Sequence, residues 1–460
     1  MLKVLQKVSL VQYFKAHFGL FLLVIVCLTI FRKFDHDEFE AVHSSWKILN
    51  GERIYIDFFQ HHHPFFYFLL APVIWLFGES VETVLVIRFM MLTMYFVMFW
   101  CLFKLSKLLF EDERISWLSV LLLASTAMFS NKAIEIRPDV PQVLLGMLSI
   151  LFLFQSVIER GKKKRVFLSA ICLGISFLFL QKTIFTVAVV GLVQLYWVFN
   201  NEFSWSRLIQ YWLLFGCVIS PYFISLIVYD QLEIYLFFNW ILNMHFEGGF
   251  SPFNTIIDSF YYNHLIWIFG ILGFGVCFKK KRRSIVIFGV LLLATVFLVK
   301  FPYRQYFMPF VPVLCMMAAI GMFEFLKLKQ MKWVVFLATV VPFVYFSMTL
   351  LVYPNKPQLD KINWVVANTN PSDYVYDGDI YFNLFRRDVD FFWYSTEPGK
   401  SGLKTYQSLK PYSYDVYKRI QEFKPKIISD TFIEDMSHEI ISRNYRQSTE
   451  YPELYIRSGY

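Results

Sequence analysis

The chain reads as an α-helical polytopic membrane protein that ends in a small α/β region. Apolar residues make up 57% of its 460 positions, and the mean hydropathy is +0.48. Charged residues fall to 17%, against roughly 25% in soluble domains. Several apolar runs approach the ~20 residues that a helix needs to cross a bilayer. After Tyr353 and Pro354 the composition turns abruptly soluble.

Taken in order, membrane spans are expected at 17–33, 83–103, 115–130, 139–158, 166–181, 183–200, 207–229, 264–279, 284–300, 306–326 and 331–353, about 11 helices in all. The first apolar run, 20–31, lacks a small-residue cleavage site and reads as a retained helix. Short cytoplasmic loops are enriched in Lys and Arg. The runs 160–165 and 279–283 mark that side, and Lys3, Lys7, Lys15, Lys104, Lys107 and Arg114 place the N-terminus with them. An odd number of spans then puts the C-terminal region of this multi-pass protein outside. The apolar segment 64–78 would invert every later loop if it crossed, so it reads as a helix lying in the outer interface. Around Gln181 and Lys182 two spans meet with almost no loop.

This threading divides the chain into a membrane domain, 1–353, whose first outer loop is 34–82, and a soluble extracytoplasmic domain, 354–460. The tail from Asn355 carries 14 Lys plus Arg against 15 Asp plus Glu, so the net charge of +9 belongs to the membrane part. Cytoplasmic loops and anionic headgroups account for that excess; membrane lipids are the implied partner and nucleic acid is not. Within the tail, 374–376, 426–429 and 451–457 read as strands and 414–423 as a helix. Cys101, Cys172, Cys217, Cys277 and Cys315 lie in or beside apolar runs without ligand spacing, as small core residues do.

The polar blocks 35–63, 131–139, 181–182, 230–263 and 300–306 all fall on the outer side, the arrangement of a single cavity over a helical bundle. Ionisable groups are costly at membrane depth, so the dense block Asp35-His36-Asp37-Glu38, placed where the first span ends, reads as water-facing and functional. Asp37 and Asp35 are the candidate functional acids, and Glu38 points elsewhere on a helix. The alternative for these acids is helix capping, worth about 0.3–1 kcal/mol from the dipole. Asp139 after Arg137-Pro138 reads as the cap of its span, with Pro138 in the first turn. Arg137, Lys182, Arg304 and His63 are cations or donors on the outer side, where each could instead be an interfacial snorkelling residue.

Three adjacent histidines, His61 to His63, invite a metal site. On a helix they would point about 100° apart and could not share one ion, so hydrogen bonding or phosphate contact is the expected role; a divalent cation held by one of them with Glu38 or His245 is the lesser alternative. No cofactor is firmly implied. The stretch His245 to Gly249 reads as a mobile outer loop.

The order Asp37-Glu38, Trp46, Gly51, Tyr55, Asp57 and His63-Pro64 before an apolar helix resembles the first outer loop of the GT-C membrane glycosyltransferases. It is most similar to the bacterial relatives of protein O-mannosyltransferases (glycosyltransferase family 39) and to the aminoarabinose transferases. Arg137-Pro138-Asp139, Gln181-Lys182 and Tyr303-Arg304-Gln305-Tyr306 extend the resemblance over about the first 330 residues. It implies a GT-C fold and transfer of a sugar from a polyprenyl-phosphate donor to a lipid, glycan or protein acceptor. Asp37, as general base of an inverting transfer with Asp35 its rival, Glu38, orienting the acceptor or the loop, and Asp139, a second functional acid, are then the catalytic candidates; Asp35, Tyr55, Asp57, His62, His63, Arg137, Lys182, Arg304 and Tyr306 are the substrate-binding ones, with Arg137, Lys182, Arg304 and His63 on the carrier phosphate. The aminoarabinose enzymes carry a Lys where this chain has His63. Two other readings stay open: a transporter or lipid flippase, whose ionisable groups would sit near the bilayer midplane, and an oligosaccharide ligase using polyprenyl diphosphate.

Overall fold

The computed structural model describes residues 9–159, 163–246, 251–299, 302–397 and 401–458. Lys3, Lys7, the 160–162 part of the basic run, the Glu247-Gly248-Gly249 part of the expected mobile loop and Lys300 lie outside the described residues.

The chain opens with α1 (Leu10–Phe31), the polar α2 (His36–Leu49), α3 (Phe65–Phe77) and α4 (Val81–Phe110). It continues through α5 (Glu113–Ser125), α6 (Ala127–Ala133), α7 (Asp139–Ile158), α8 (Lys163–Phe179), α9 (Thr183–Phe199) and α10 (Trp205–Val228). Then α11 (Leu232–Leu236), a π-turn (Phe237–Ile241) and α12 (Leu242–His245) lead to α13 (Pro252–Lys279), α14 (Arg283–Thr295), α15 (Val311–Phe325) and α16 (Leu328–Leu351). By length and composition α1, α4, α7, α10, α13 and α16 can each cross a bilayer, and α3, α9, α14 and α15 are shorter apolar helices.

Several ends differ from the expected spans for local reasons. α1 starts at Leu10 because Ser9 and Gln12 form a reciprocal cap. α13 starts at Pro252, capped by Ser251, and bends at Asn263, so it begins 12 residues before the expected span. The span expected at 115–130 breaks at Thr126, whose extended backbone separates α5 from α6. α3 has 13 residues, about 20 Å at 1.5 Å per residue and short of a ~30 Å hydrocarbon core. Its Trp75, Leu76 and Phe77 are exposed. Small residues bring helices close: a Cβ on Gly273 would overlap the Met317 backbone, and one on Gly321 that of Phe269, so α13 and α15 meet main chain to main chain.

The tail comprises α17 (Lys356–Asn368), β1 (Val375–Tyr376), α18 (Gly402–Leu409), α19 (Val416–Phe423), β2 (Ile427–Ser429), α20 (Glu439–Asn444), β3 (Tyr445–Gln447) and β4 (Leu454–Arg457). The sheet order is β1-β2-β4-β3, with β1 parallel to β2 and the other pairs antiparallel. The strands and helix expected here are present; α18, α20 and β3 are too short to leave a periodic signal in the sequence.

The tail docks on the loop that carries α2. His43 is fully buried between the Leu384 carbonyl (2.7 Å) and Asp388 (2.8 Å), and Lys47 reaches the same carboxylate at 2.6 Å. The Trp393 indole donates to the Phe59 carbonyl at 3.0 Å, and Phe59 donates to the Phe391 carbonyl at 2.9 Å. Burial alone would raise the Asp388 pKa, but His43 and Lys47 outweigh it and hold the carboxyl below its ordinary value.

Candidate active site

α2 begins where Asp35 caps it, its carboxylate accepting from the Asp37 amide while Glu38 reaches back to the Asp35 amide at 2.9 Å. The capping alternative is therefore realised at Asp35 and Glu38. Glu38 is fully buried. One of its oxygens takes Arg32 (3.1 Å), Arg88 (2.6 Å) and the Asp35 amide, and the other takes Arg88 Nε (2.8 Å) and the Ile136 amide (3.1 Å). Those bonds tie α1, α2, α4 and the segment before α7 to one carboxylate, which leaves Glu38 no capacity for a substrate. Arg88 lies against the face of Phe34, its guanidinium carbon 3.4 Å from the ring centre. Glu135, also buried, pairs with Arg32 at 3.0 Å, Lys132 at 2.8 Å and Arg137 at 3.3 Å.

Asp37 stands on the preceding position of the helix and keeps its side chain about one-third exposed. One carboxylate oxygen contacts Arg137 and the other contacts His36 at 2.9 Å. Burial pulls its pKa upward, but Arg137 and His36 outweigh this and hold the carboxyl well below the ordinary value. His36 moves the opposite way, to about 9, because Asp37 accepts its hydrogen bond and attracts its charge. Asp35, His36 and Asp37 present ligand atoms within 4.8 Å of one another. The imidazole between the two carboxylates already supplies that cluster's positive charge.

From Asp37 the charges continue inward. Arg137 lies 3.6 Å from Asp139, and Asp139 contacts Lys182 in the tight turn between α8 and α9. The Lys182 ammonium sits 4.6 Å from the centre of the Tyr306 ring. A cavity lies beside this pair, lined by Gln142, Lys182, Thr186, Thr295, Tyr306 and Pro309. Burial lowers the Lys182 pKa, with Asp139 opposing, whereas Arg137, despite burial, is raised by Asp37 and Glu135. Asp37, Arg137, Asp139, Lys182 and Tyr306 therefore form one continuous run.

The remaining candidates divide. Residues 60–63 are irregular rather than helical, so the three histidines diverge through the loop path. His62 lies in the field of Asp37, Lys182 and Arg137; burial, then His61, pushes its imidazole well below the ordinary value, and its Nδ1 has no hydrogen-bond partner among the described residues. His63 is fully buried with both nitrogens engaged, by the Phe177 carbonyl at 2.8 Å and the Tyr235 hydroxyl at 2.7 Å. Tyr55, at φ +68°, is buried and donates to the His62 carbonyl at 2.6 Å. Both fix the loop from behind. Asp57 pairs with Arg53 in an exposed turn, and Arg304 pairs with Asp258 at 2.7 Å.

Sequence reasoning missed Arg32, Arg88, Glu135 and Glu40. Arg88 had a signal, a lone cation inside an apolar run that demands a partner. Glu40 lies one helical turn from Asp37, on the same face. It is buried and accepts from the Gln60 amide and, at 3.2 Å, from the Tyr67 hydroxyl.

Residues 61–229 match the family described as dolichyl-phosphate-mannose-protein mannosyltransferase. Among solved structures, ArnT from Cupriavidus metallidurans bound to undecaprenyl phosphate aligns at 11% identity over 97% of both chains with a TM-score of 0.70. Its apo state aligns at 13% over 91% of this chain and 93% of that one, TM-score 0.69. The oligosaccharyltransferase AglB from Archaeoglobus fulgidus, in complex with an inhibitory peptide and a dolichol-phosphate, aligns at 11% over 97% of this chain and 74% of that one, TM-score 0.63. No curated protein sequence matches the chain. The chain has the GT-C fold, and its residues 61–229 are similar to that family.

Proposed function

We propose that this GT-C chain transfers a hexosyl or pentosyl unit from a polyprenyl-phosphate donor to an acceptor at the outer face of the membrane, with inversion and with Asp37 as general base. The observation that carries the reading is the run Asp37, Arg137, Asp139, Lys182 and Tyr306, assembled from α2, the start of α7, the α8–α9 turn and the turn before α15. An acceptor hydroxyl needs a carboxylate to take its proton, a contribution typically of about 10² to 10⁴ in rate. Asp37 is the acid of the run with solvent access.

In the reaction the acceptor oxygen attacks the anomeric carbon from the face opposite the carrier. Its proton passes to Asp37, and the C–O bond to phosphate breaks with the electron pair staying on the phosphate. Lys182 and Arg137 stabilise that developing charge, and Asp139 holds both cations in place. His62 offers a neutral nitrogen toward the same space. Glu38, Tyr55 and His63 hold the scaffold, while Asp35, Asp57 and Arg304 lie at the rim. In this reading 1–353 is the catalytic membrane domain, with first outer loop 34–82, and 354–460 the extracytoplasmic domain that covers it in the inner membrane of a cell. Both substrates must be held together, and the tail's contacts with α2 suit it to close the acceptor side.

The test is sugar transfer by lipid-reconstituted protein from a panel of polyprenyl-phosphate sugars, with membrane extract as acceptor, comparing wild type with Asp37→Asn. Loss of about 10² to 10⁴ in rate with donor binding retained supports the assignment; full activity in the variant overturns it. The fold overlap with an oligosaccharyltransferase favours one second reading, glycan transfer from polyprenyl diphosphate. Diphosphate donors in the same panel separate the two.

A further inference from the structure

Glu40 has an environment that the proposed reaction leaves unexplained. It is buried on α2 one turn beyond Asp37, and among the described residues no cation forms an ion pair with it. Every other acid of this network has one: Asp35, Asp37, Glu38, Glu135 and Asp139 all do. A buried carboxylate without a cation is costly, so it either holds a proton or is retained for its charge.

Its hydrogen bonds are also one-sided. The Gln60 amide, the Tyr67 hydroxyl and, at the 3.5 Å limit, the Ser44 hydroxyl all fall on Oε1. Gln60 in turn accepts from Tyr394 of the tail at 3.2 Å, and Tyr394 contacts His61 at 3.0 Å. The groups that face Glu40 are thus Asp37 and Ser44 on α2, Gln60 on the loop, Tyr67 on α3, Tyr394 on the tail and Arg137 before α7. Arg137 is the cation among them, and Asp37 already holds it.

We propose that Glu40 is a positioning residue that sets the basicity of Asp37: its negative charge, one turn away on the same helix face, raises the proton affinity of a carboxylate that Arg137 and His36 otherwise make a weak base. The inference rests on the glycosyltransferase reading with Asp37 as base. With Glu40 ionised, Asp37 takes the acceptor proton as the glycosidic bond forms and the bond to carrier phosphate breaks. With Glu40 protonated, Asp37 remains tied to Arg137 and accepts the proton poorly. Burial is the main reason that Glu40 titrates high, at about 7, with Asp37 adding to it. The switch therefore operates near neutral pH. Turnover rises as pH increases through that value.

The experiment compares wild type, Glu40→Gln and Glu40→Asp in lipid, measuring kcat and donor KM across pH 5.5 to 9, alongside infrared difference spectra. Glu40→Gln is expected to keep donor KM, lose about tenfold in kcat, the equivalent of one pKa unit at Asp37, and lose the rise near neutral pH. Glu40→Asp is expected to restore the rise. The infrared band of a protonated carboxyl should titrate near neutrality in wild type and vanish in Glu40→Gln, a readout independent of turnover. Wild-type kcat and an unchanged pH profile in Glu40→Gln overturn the proposal while leaving the glycosyltransferase reading intact. A wild type that transfers no sugar from any donor overturns that reading, and this proposal with it.

Discussion

Replacing Glu38 with Gln keeps the shape of the side chain and removes its charge. The structure gives this carboxylate three contacts from two guanidinium groups, at 2.6, 2.8 and 3.1 Å, and two from backbone amides, with no exposure to water. A glutamine places an NH₂ where one oxygen accepted, facing donors it cannot satisfy. Hydrogen bonds to charged groups are worth about 1.5 to 3 kcal/mol each, and breaking a buried ion pair from one side costs about 3 to 5 kcal/mol. Arg32 keeps Glu135 at 3.0 Å, so part of the loss is recovered. Among the described residues Arg88 pairs with no second acid, and it keeps carbonyl oxygens and the face of Phe34. The expected destabilisation is about 4 kcal/mol, close to three powers of ten in the folding equilibrium. The assay is the fraction of monodisperse protein remaining after a temperature ramp in detergent. Glu38→Gln should fall apart well below wild type, and Glu38→Leu combined with Arg88→Met should lose less than the sum of the single changes, because the two charges leave together. A Glu38→Gln protein as heat-resistant as wild type, yet inactive, would refute the scaffold role and return Glu38 to the chemistry.

Lys182→Met removes the ammonium between Asp139 and Tyr306; binding of polyprenyl phosphate, followed by fluorescence quenching, should weaken about 10- to 100-fold, the worth of one charged hydrogen bond. Asp388→Asn leaves the buried Lys47 without its closest acid; limited proteolysis should then cut the tail faster while the membrane helices stay protected. His36 carries a pKa raised to about 9 by its hydrogen bond to Asp37. Its stabilising contribution is complete below the unfolded value near 6.5 and is lost as pH rises through 9. His36→Gln should therefore lower thermal resistance at pH 6 and leave it unchanged at pH 10. The side chain is well exposed, so added salt should shrink the difference.

Hydropathy runs and residue periodicity are local properties, and they identified the apolar helices, the turn at Gln181 and Lys182, and three of the four strands from the chain alone. The acids at the end of the first span, with Arg137 and Lys182, were equally legible, since ionisable residues beside apolar runs stand out against their surroundings; Asp139 and Tyr306 joined them through the family resemblance. Helix ends were less so: Ser9 with Gln12 and Ser251 with Pro252 extend helices into polar sequence by capping, which an apolar window does not register. What each polar residue does once inside depends on partners far away in the chain. His63 looks like a phosphate ligand until Phe177 and Tyr235 occupy both its nitrogens. Glu38 and Glu40 are two residues apart; packing pairs Glu38 with two arginines and, among the described residues, gives Glu40 no ion pair. Burial makes charge expensive and so forces such assignments, and burial exists only after distant helices and the tail have closed over α2.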